Sequence, residues 1–232
     1  MKLTNKLPRT LSIVAAILML LTLIGGFIGS IGNWVSMFSS GNTATAVTSI
    51  VTFLFNSLAV VLCIVVLFLG KRNSIGGILL ILSALITAGL RVIGSINAIV
   101  SYFAMKDLIG NMFGPLVGSN LCGMVGGLVT AVFYILLAIE CFAPGKFSTS
   151  KAKFILFILP VLIAILSVLS SIMLQLPTLK VDLVAFVATS IGSLLGNLIS
   201  HVPVLLMGIA FATPVYEQDP YAGYPAPPYT NV

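Results

Sequence analysis

Six apolar runs, each long enough to cross a bilayer, follow one another along this chain, and short segments between them collect most of its polar residues. A hydrocarbon core about 30 Å thick needs about 20 apolar residues in a helix. Residues 11–33, 48–70, 75–103, 121–143, 154–174 and 183–212 meet that requirement. The pattern predicts an all-α polytopic transmembrane bundle of six spans arranged as three hairpins, with residues 1–213 forming the membrane domain.

The polar segments orient the spans. Lys2, Lys6 and Arg9 precede the first span, Lys71 and Arg72 separate the second from the third, and Lys146, Lys151 and Lys153 separate the fourth from the fifth. The alternate loops hold only Lys106 and Lys180, each followed closely by an acid (Asp107, Asp182). Short cytoplasmic loops collect Lys and Arg, so both termini are expected in the cytoplasm. The basic start resembles a signal peptide, but its apolar run is too long, and the nearest small-x-small pattern (Ala44-Thr45-Ala46) lies well beyond it. An uncleaved first span is expected.

Composition narrows the class further. Hydrophobic residues make up 59% and charged residues 7% of the 232 positions, against about 25% charge in soluble domains. The formal charge of +6 is a topology signal and a contact with anionic headgroups, and nucleic acid is not expected as a partner. Cys63, Cys122 and Cys141 have no metal or redox spacing and read as small apolar helix residues. The chain has no Asn-x-Ser/Thr sequon. Together with the general form of a small six-span protein, this fits a bacterial plasma (inner) membrane.

The loops and tail have distinct characters. Residues 34–47 are rich in Ser, Thr, Asn and Gly and are expected to be irregular. Residues 105–120 place Met105, Leu108, Ile109 and Met112 at helical spacing, which predicts a short interfacial helix ended by Gly114-Pro115, with a re-entrant loop as the alternative. Residues 175–182 are too short for structure of their own. The outgoing spans share a loose likeness in Gly29-Ser30-Ile31, Gly94-Ser95-Ile96 and Ser170-Ser171-Ile172, as parallel internal repeats would. Residues 214–232 are Pro- and Tyr-rich and are expected to be a disordered cytoplasmic tail. Its end, Thr230-Asn231-Val232, matches the loose form of a peptide that docks by strand addition.

Inside the membrane, polar side chains are the default functional candidates. Counted at about 1.5 Å per residue, Arg91 lies about 24 Å from the cytoplasmic end of its span and Glu140 about 5 Å. The two cannot pair. Glu140 is expected at the cytoplasmic interface near Lys71, Arg72 or Lys146. Arg91 can snorkel outward, donate within the bundle or hold an anion. Ser83, Thr87, Arg91 and Ser95 recur every four residues, and Thr189, Ser193, Asn197, Ser200 and His201 mark a similar face on the sixth span, above Pro203, which frees a backbone carbonyl. The same depth count predicts a polar layer of Asn56, Arg91, Thr130, Ser167, Asn197 and His201 in the outer half. Either glue between helices or a solute cavity accounts for such a layer. The pairs Gly25/Gly29, Gly123/Gly127 and Gly192/Gly196 are GxxxG motifs and predict close helix packing at that depth.

No nucleophile–base pair, metal-ligand set or nucleotide fingerprint is present, so no catalytic residue, cofactor or metal is expected. The absence of an acid at membrane depth weakens a proton-coupled pump. Three non-enzymatic classes remain. The first is a scaffold, regulator or subunit acting through helix and tail contacts with a membrane partner or a second copy. The second is a passive or partner-driven carrier of a small anionic solute held at Arg91. The third is a lipid-headgroup-binding protein. The sequence ranks them in that order.

Overall fold

The computed structural model describes residues 7–70, 73–143, 145–147, 151–179 and 181–214. Its long helices are α1 (Arg9–Ser39), α2 (Thr43–Leu69), α3 (Ser74–Ala104), α5 (Phe113–Phe142), α6 (Ile155–Leu179) and α7 (Leu183–Ala212). Between α3 and α5 lie the single turn α4 (Lys106–Ile109) and a 3-10 turn, Gly110–Met112. Six helical segments are long and apolar enough to cross a membrane, and no strand occurs among the described residues. Helices of this length and composition are those of a multi-pass membrane protein. Its tail, including Thr230, Asn231 and Val232, lies outside the described residues.

The three hairpins close into a ring. Each long helix packs extensively on the next in the order α1, α2, α3, α5, α6, α7, and α7 returns to pack on α1. Contact across the ring is slight. A ring of six helices with little crossing contact leaves space at its axis unless large side chains fill it.

They fill it at one end only. Ala15, Met19, Cys63, Leu80, Phe133 and Phe211 belong to a single buried cluster, drawn from the half of the bundle that holds both chain ends. Beyond the level of Met19, Ala59, Ala84, Gly127, Ile163 and Pro203, the only buried residues among those described are Ala46, Ser95 and Ser119. The terminal half is therefore a packed floor and the far half is loosely packed. This reverses the expectation drawn from the glycine motifs, which places the tight layer in the far half.

One proline and two glycines explain part of the floor. Pro160 cannot donate to the carbonyl of Leu156, one turn earlier. That carbonyl lies directly against Gly208 of α7, where a Cβ would overlap it. Gly77 of α3 likewise accommodates the ring of Phe142. Both are close approaches that only a missing side chain permits.

The loops depart from expectation. Residues 34–47 are mostly helical, because α1 runs on to Ser39 and α2 begins at Thr43. Ser and Thr side chains there bond their own helix, as in Ser39 Oγ to the Val35 carbonyl at 2.8 Å and Thr48 Oγ1 to Ala44 at 2.9 Å. Trp34 stacks edge-on to Phe53 at 5.4 Å and donates Nε1–H to Ser49 Oγ at 3.1 Å, which fastens α1 to α2. Gly114-Pro115 does not break a helix; it falls in the first turn of α5, where a missing N–H costs nothing. Residues 175–179 continue α6 through Pro177, and Asp182 caps α7 by accepting from the Ala185 N–H at 3.0 Å.

Glu140 lies against the loop that carries Lys146, buried rather than open to the interface. It is fully buried, and its two carboxylate oxygens accept the N–H groups of Gly145 (2.9 Å) and Phe147 (2.8 Å), folding the chain after α5 back onto the helix end. Lys71 and Arg72 lie outside the described residues. Removing a buried acceptor strands its donors, at about 1–3 kcal/mol each. Glu140→Ala should therefore lower stability by about 3 kcal/mol, read as a clear fall in melting temperature in detergent, whereas Glu140→Gln should retain part of it.

Candidate ligand cavity

Above the floor the ring encloses a cavity of about 300 Å³. Its lining comes from five helices: Asn56 on α2, Thr87 and Arg91 on α3, Thr130 and Cys122 on α5, Ser167 on α6 and His201 on α7. A second space of about 180 Å³ adjoins it on the α1 side and shares Asn56, Val60, Tyr134, Ser200 and Val204 with it. Five of the six residues of the expected polar layer thus surround one space. The sixth, Asn197, stands beside it and supports the wall.

Arg91 is the one charged residue in that wall. Its stem crosses the face of α5 at Gly127, where a Cβ would come within 2.5 Å of Arg91 Cβ and 2.7 Å of Cγ. Arg91 is exposed, and its guanidinium makes no hydrogen bond or ion pair among the described residues. A guanidinium carries five N–H donors, and a charged one at membrane depth ordinarily finds partners. Here its donors are available to whatever enters the cavity.

The neutral members of the layer are held in place. Asn56 Nδ2 donates to the Thr52 carbonyl at 2.9 Å and Thr130 Oγ1 to the Gly126 carbonyl at 2.8 Å, each within its own helix. Ser167 Oγ donates to Asn197 Oδ1 at 2.7 Å, while Asn197 Nδ2 donates to Ser171 Oγ at 2.9 Å and to the Ser193 carbonyl at 2.8 Å. That network ties α6 to α7. His201 Nδ1 lies 2.7 Å from the Asn197 carbonyl. A carbonyl only accepts, so Nδ1 carries the proton and Nε2 is the ring's remaining polar atom.

Other polar residues act as glue. Ser83, on the same helical track as Arg91, donates to the Ala59 carbonyl at 3.2 Å and to Leu79 at 2.9 Å, joining α3 to α2. Ser119 and Ser170 pair at 2.9 Å between α5 and α6. Gln175 donates to Ser193 Oγ at 2.6 Å and accepts from Ser190 at 2.8 Å between α6 and α7.

The glycine motifs require correction. Gly25, Gly29, Gly123, Gly192 and Gly196 have nothing within 4 Å of a built Cβ. They are not seams between helices of this chain, and of the six only Gly127 meets a neighbour, the Arg91 stem. The motif marks where backbones can approach, and here no backbone does. Gly123 and Gly127 instead widen the cavity they line.

Cys122 and Tyr134 are not among the site residues that the sequence points to, yet both line the cavity. Cys122 carries no sequence signal beyond its depth, two helical turns from Thr130. No group of three or more His, Cys, Asp or Glu that could hold a metal occurs among the described residues. What the wall offers is one cation, hydroxyl and amide groups, and apolar surface from Ala59, Ile163 and Val204. That donor set can hold an anion. Neither a known protein family, nor a curated protein, nor a solved structure matches the chain, so its function must be argued from its own geometry.

Proposed function

We propose that this protein is a non-enzymatic membrane carrier that takes a small anionic group into its central cavity at Arg91. The observation that carries this reading is the Arg91 guanidinium, set in the wall of a polar cavity and unpaired among the described residues. A cation in a cavity of lowered dielectric attracts an anion far more strongly than it would in water. Around it stand neutral polar groups that bring no competing charge. The Lys and Arg distribution favours the packed floor at the cytoplasmic face and the loosely packed half outside, in a plasma membrane of bacterial type. The floor then closes the cavity from the cytoplasm, and passage requires it to open.

The scaffold reading relies on glycine seams and on the tail. Five of the six seam glycines face open space, and the tail lies outside the described residues. The carrier reading therefore ranks first.

Cys122 is a native reporter for this proposal, since Cys63 and Cys141 are buried. With those two replaced by alanine, Cys122 should react in intact cells with a membrane-impermeant anionic thiol reagent, and Arg91→Gln should slow the reaction about tenfold or more. If a Cys placed at Ser40 reacts and Cys122 stays silent, the outward cavity is refuted.

A further inference from the structure

On the lipid side of the ring, between α6 and α7, lies a groove of about 510 Å³. Pro160, Ala164 and Val168 form part of one wall, and Leu198 and Val202 part of the other. His201 is the one polar side chain that lines it, and His201 also lines the central cavity. The groove and the polar cavity are therefore two sides of one thin wall.

The seam at that wall is fastened above and below but not at its middle. Above His201, the Ser167–Asn197–Ser171 network and the Gln175 bonds join α6 to α7. Below it, the Leu156 carbonyl lies against Gly208. At the level of His201 itself no side-chain hydrogen bond crosses from α6 to α7 among the described residues, and His201 Nδ1 turns back to its own helix. Small residues on α6, Pro160 and Ala164, keep the groove deep there.

We infer that the anionic group held at Arg91 is the head of a lipid-like amphiphile, whose hydrocarbon chain leaves the cavity past His201 and lies in the α6/α7 groove. The inference rests on the proposed anion site and names its occupant. The chemistry is matched at both ends: one cation among neutral polar groups lines the cavity, and a wall almost without polar atoms faces the bilayer. A free hydrophilic anion has no use for the groove. An amphiphile drawn from the bilayer would use both and could enter sideways through the unfastened part of the seam, with its chain staying in an apolar setting throughout. A phosphate monoester lipid or a fatty carboxylate has the required form.

The test uses the full-length protein in lipid nanodiscs, with phosphatidic acid, phosphatidylcholine and inorganic phosphate as probes. Leu198→Trp and Val161→Trp fill the groove from exposed positions without touching the polar cavity; Leu198→Phe serves as a milder version should either reduce folding. Wild-type protein should retain phosphatidic acid in preference to phosphatidylcholine. The Trp variants should lose phosphatidic acid about tenfold while binding inorganic phosphate normally, and Arg91→Gln should lose both. If the groove variants hold long-chain phosphatidic acid as wild type does while Arg91→Gln does not, the amphiphile inference falls and the anion site stands. Equal retention of phosphatidylcholine and phosphatidic acid would also overturn it, because the chain would then bind without its head. If Arg91→Gln changes nothing, the anion site itself fails.

Discussion

Arg91→Gln should weaken binding of a small anion to the central cavity by about a hundredfold. A charge-assisted hydrogen bond contributes about 1.5–3 kcal/mol, and tenfold in affinity corresponds to about 1.4 kcal/mol, so losing the charge and two of its bonds reaches that size. Arg91→Lys tests the geometry rather than the charge. A lysine keeps the cation but not the planar fork, so a residual loss of about tenfold is expected if the anion is bound bidentately. Snorkelling to the headgroups would tolerate lysine without change. Gly127→Ala reaches the same site from the other helix. The new Cβ would stand 2.5 Å from Arg91 Cβ, so the stem must move or α3 and α5 must part, and the guanidinium moves with it. The two substitutions act on one group and should not add: in an Arg91→Gln background, Gly127→Ala should cost nothing further in affinity. Isothermal titration of purified protein measures all four. A full additional loss in the double variant would mean that Gly127 acts through something other than Arg91.

The polar layer is legible in the sequence because depth along a membrane helix is simple arithmetic. A rise of about 1.5 Å per residue from a basic boundary locates a side chain whatever its neighbours are. That count alone groups Asn56, Arg91, Thr130, Ser167 and His201, and they line one cavity. The six helices are legible for a related reason, since lipid requires every backbone group to be bonded within its own segment. Helix ends are harder. The polar run 34–47 has the composition of a loop, but its Ser and Thr side chains bond carbonyls one turn back and leave the helix intact. Azimuth is harder still. Depth does not say which way a side chain points, so it groups Asn197 with the lining although Asn197 bonds sideways to Ser167 and Ser171. The ring closure of α7 on α1, the packed floor and the α6/α7 groove depend on which helices are neighbours, and no local pattern carries that.

The glycines put that last point to an experimental test. Gly208→Ala should destabilise the protein by about 3 kcal/mol, at the upper end of what an extra methyl group costs in a packed core. Its Cβ would overlap the Leu156 carbonyl, a backbone atom that cannot rotate away. That carbonyl is the one Pro160 leaves without a helix donor, so the two helices cannot simply slide to a new register without exposing it again. Gly192→Ala and Gly196→Ala, on the same helix, should behave in the opposite way. Neither Cβ meets anything, and alanine favours a helix over glycine by about 1 kcal/mol at most, so stability should hold or rise slightly. Melting temperatures followed by size-exclusion chromatography in detergent would separate the two groups clearly. A single ring with a loosely packed far half predicts this division. If Gly192→Ala and Gly196→Ala instead lowered the melting temperature, and did so together with a smaller eluting species, their open faces would be covered by a second copy of the chain. The GxxxG motifs would then be seams after all, between molecules rather than within one.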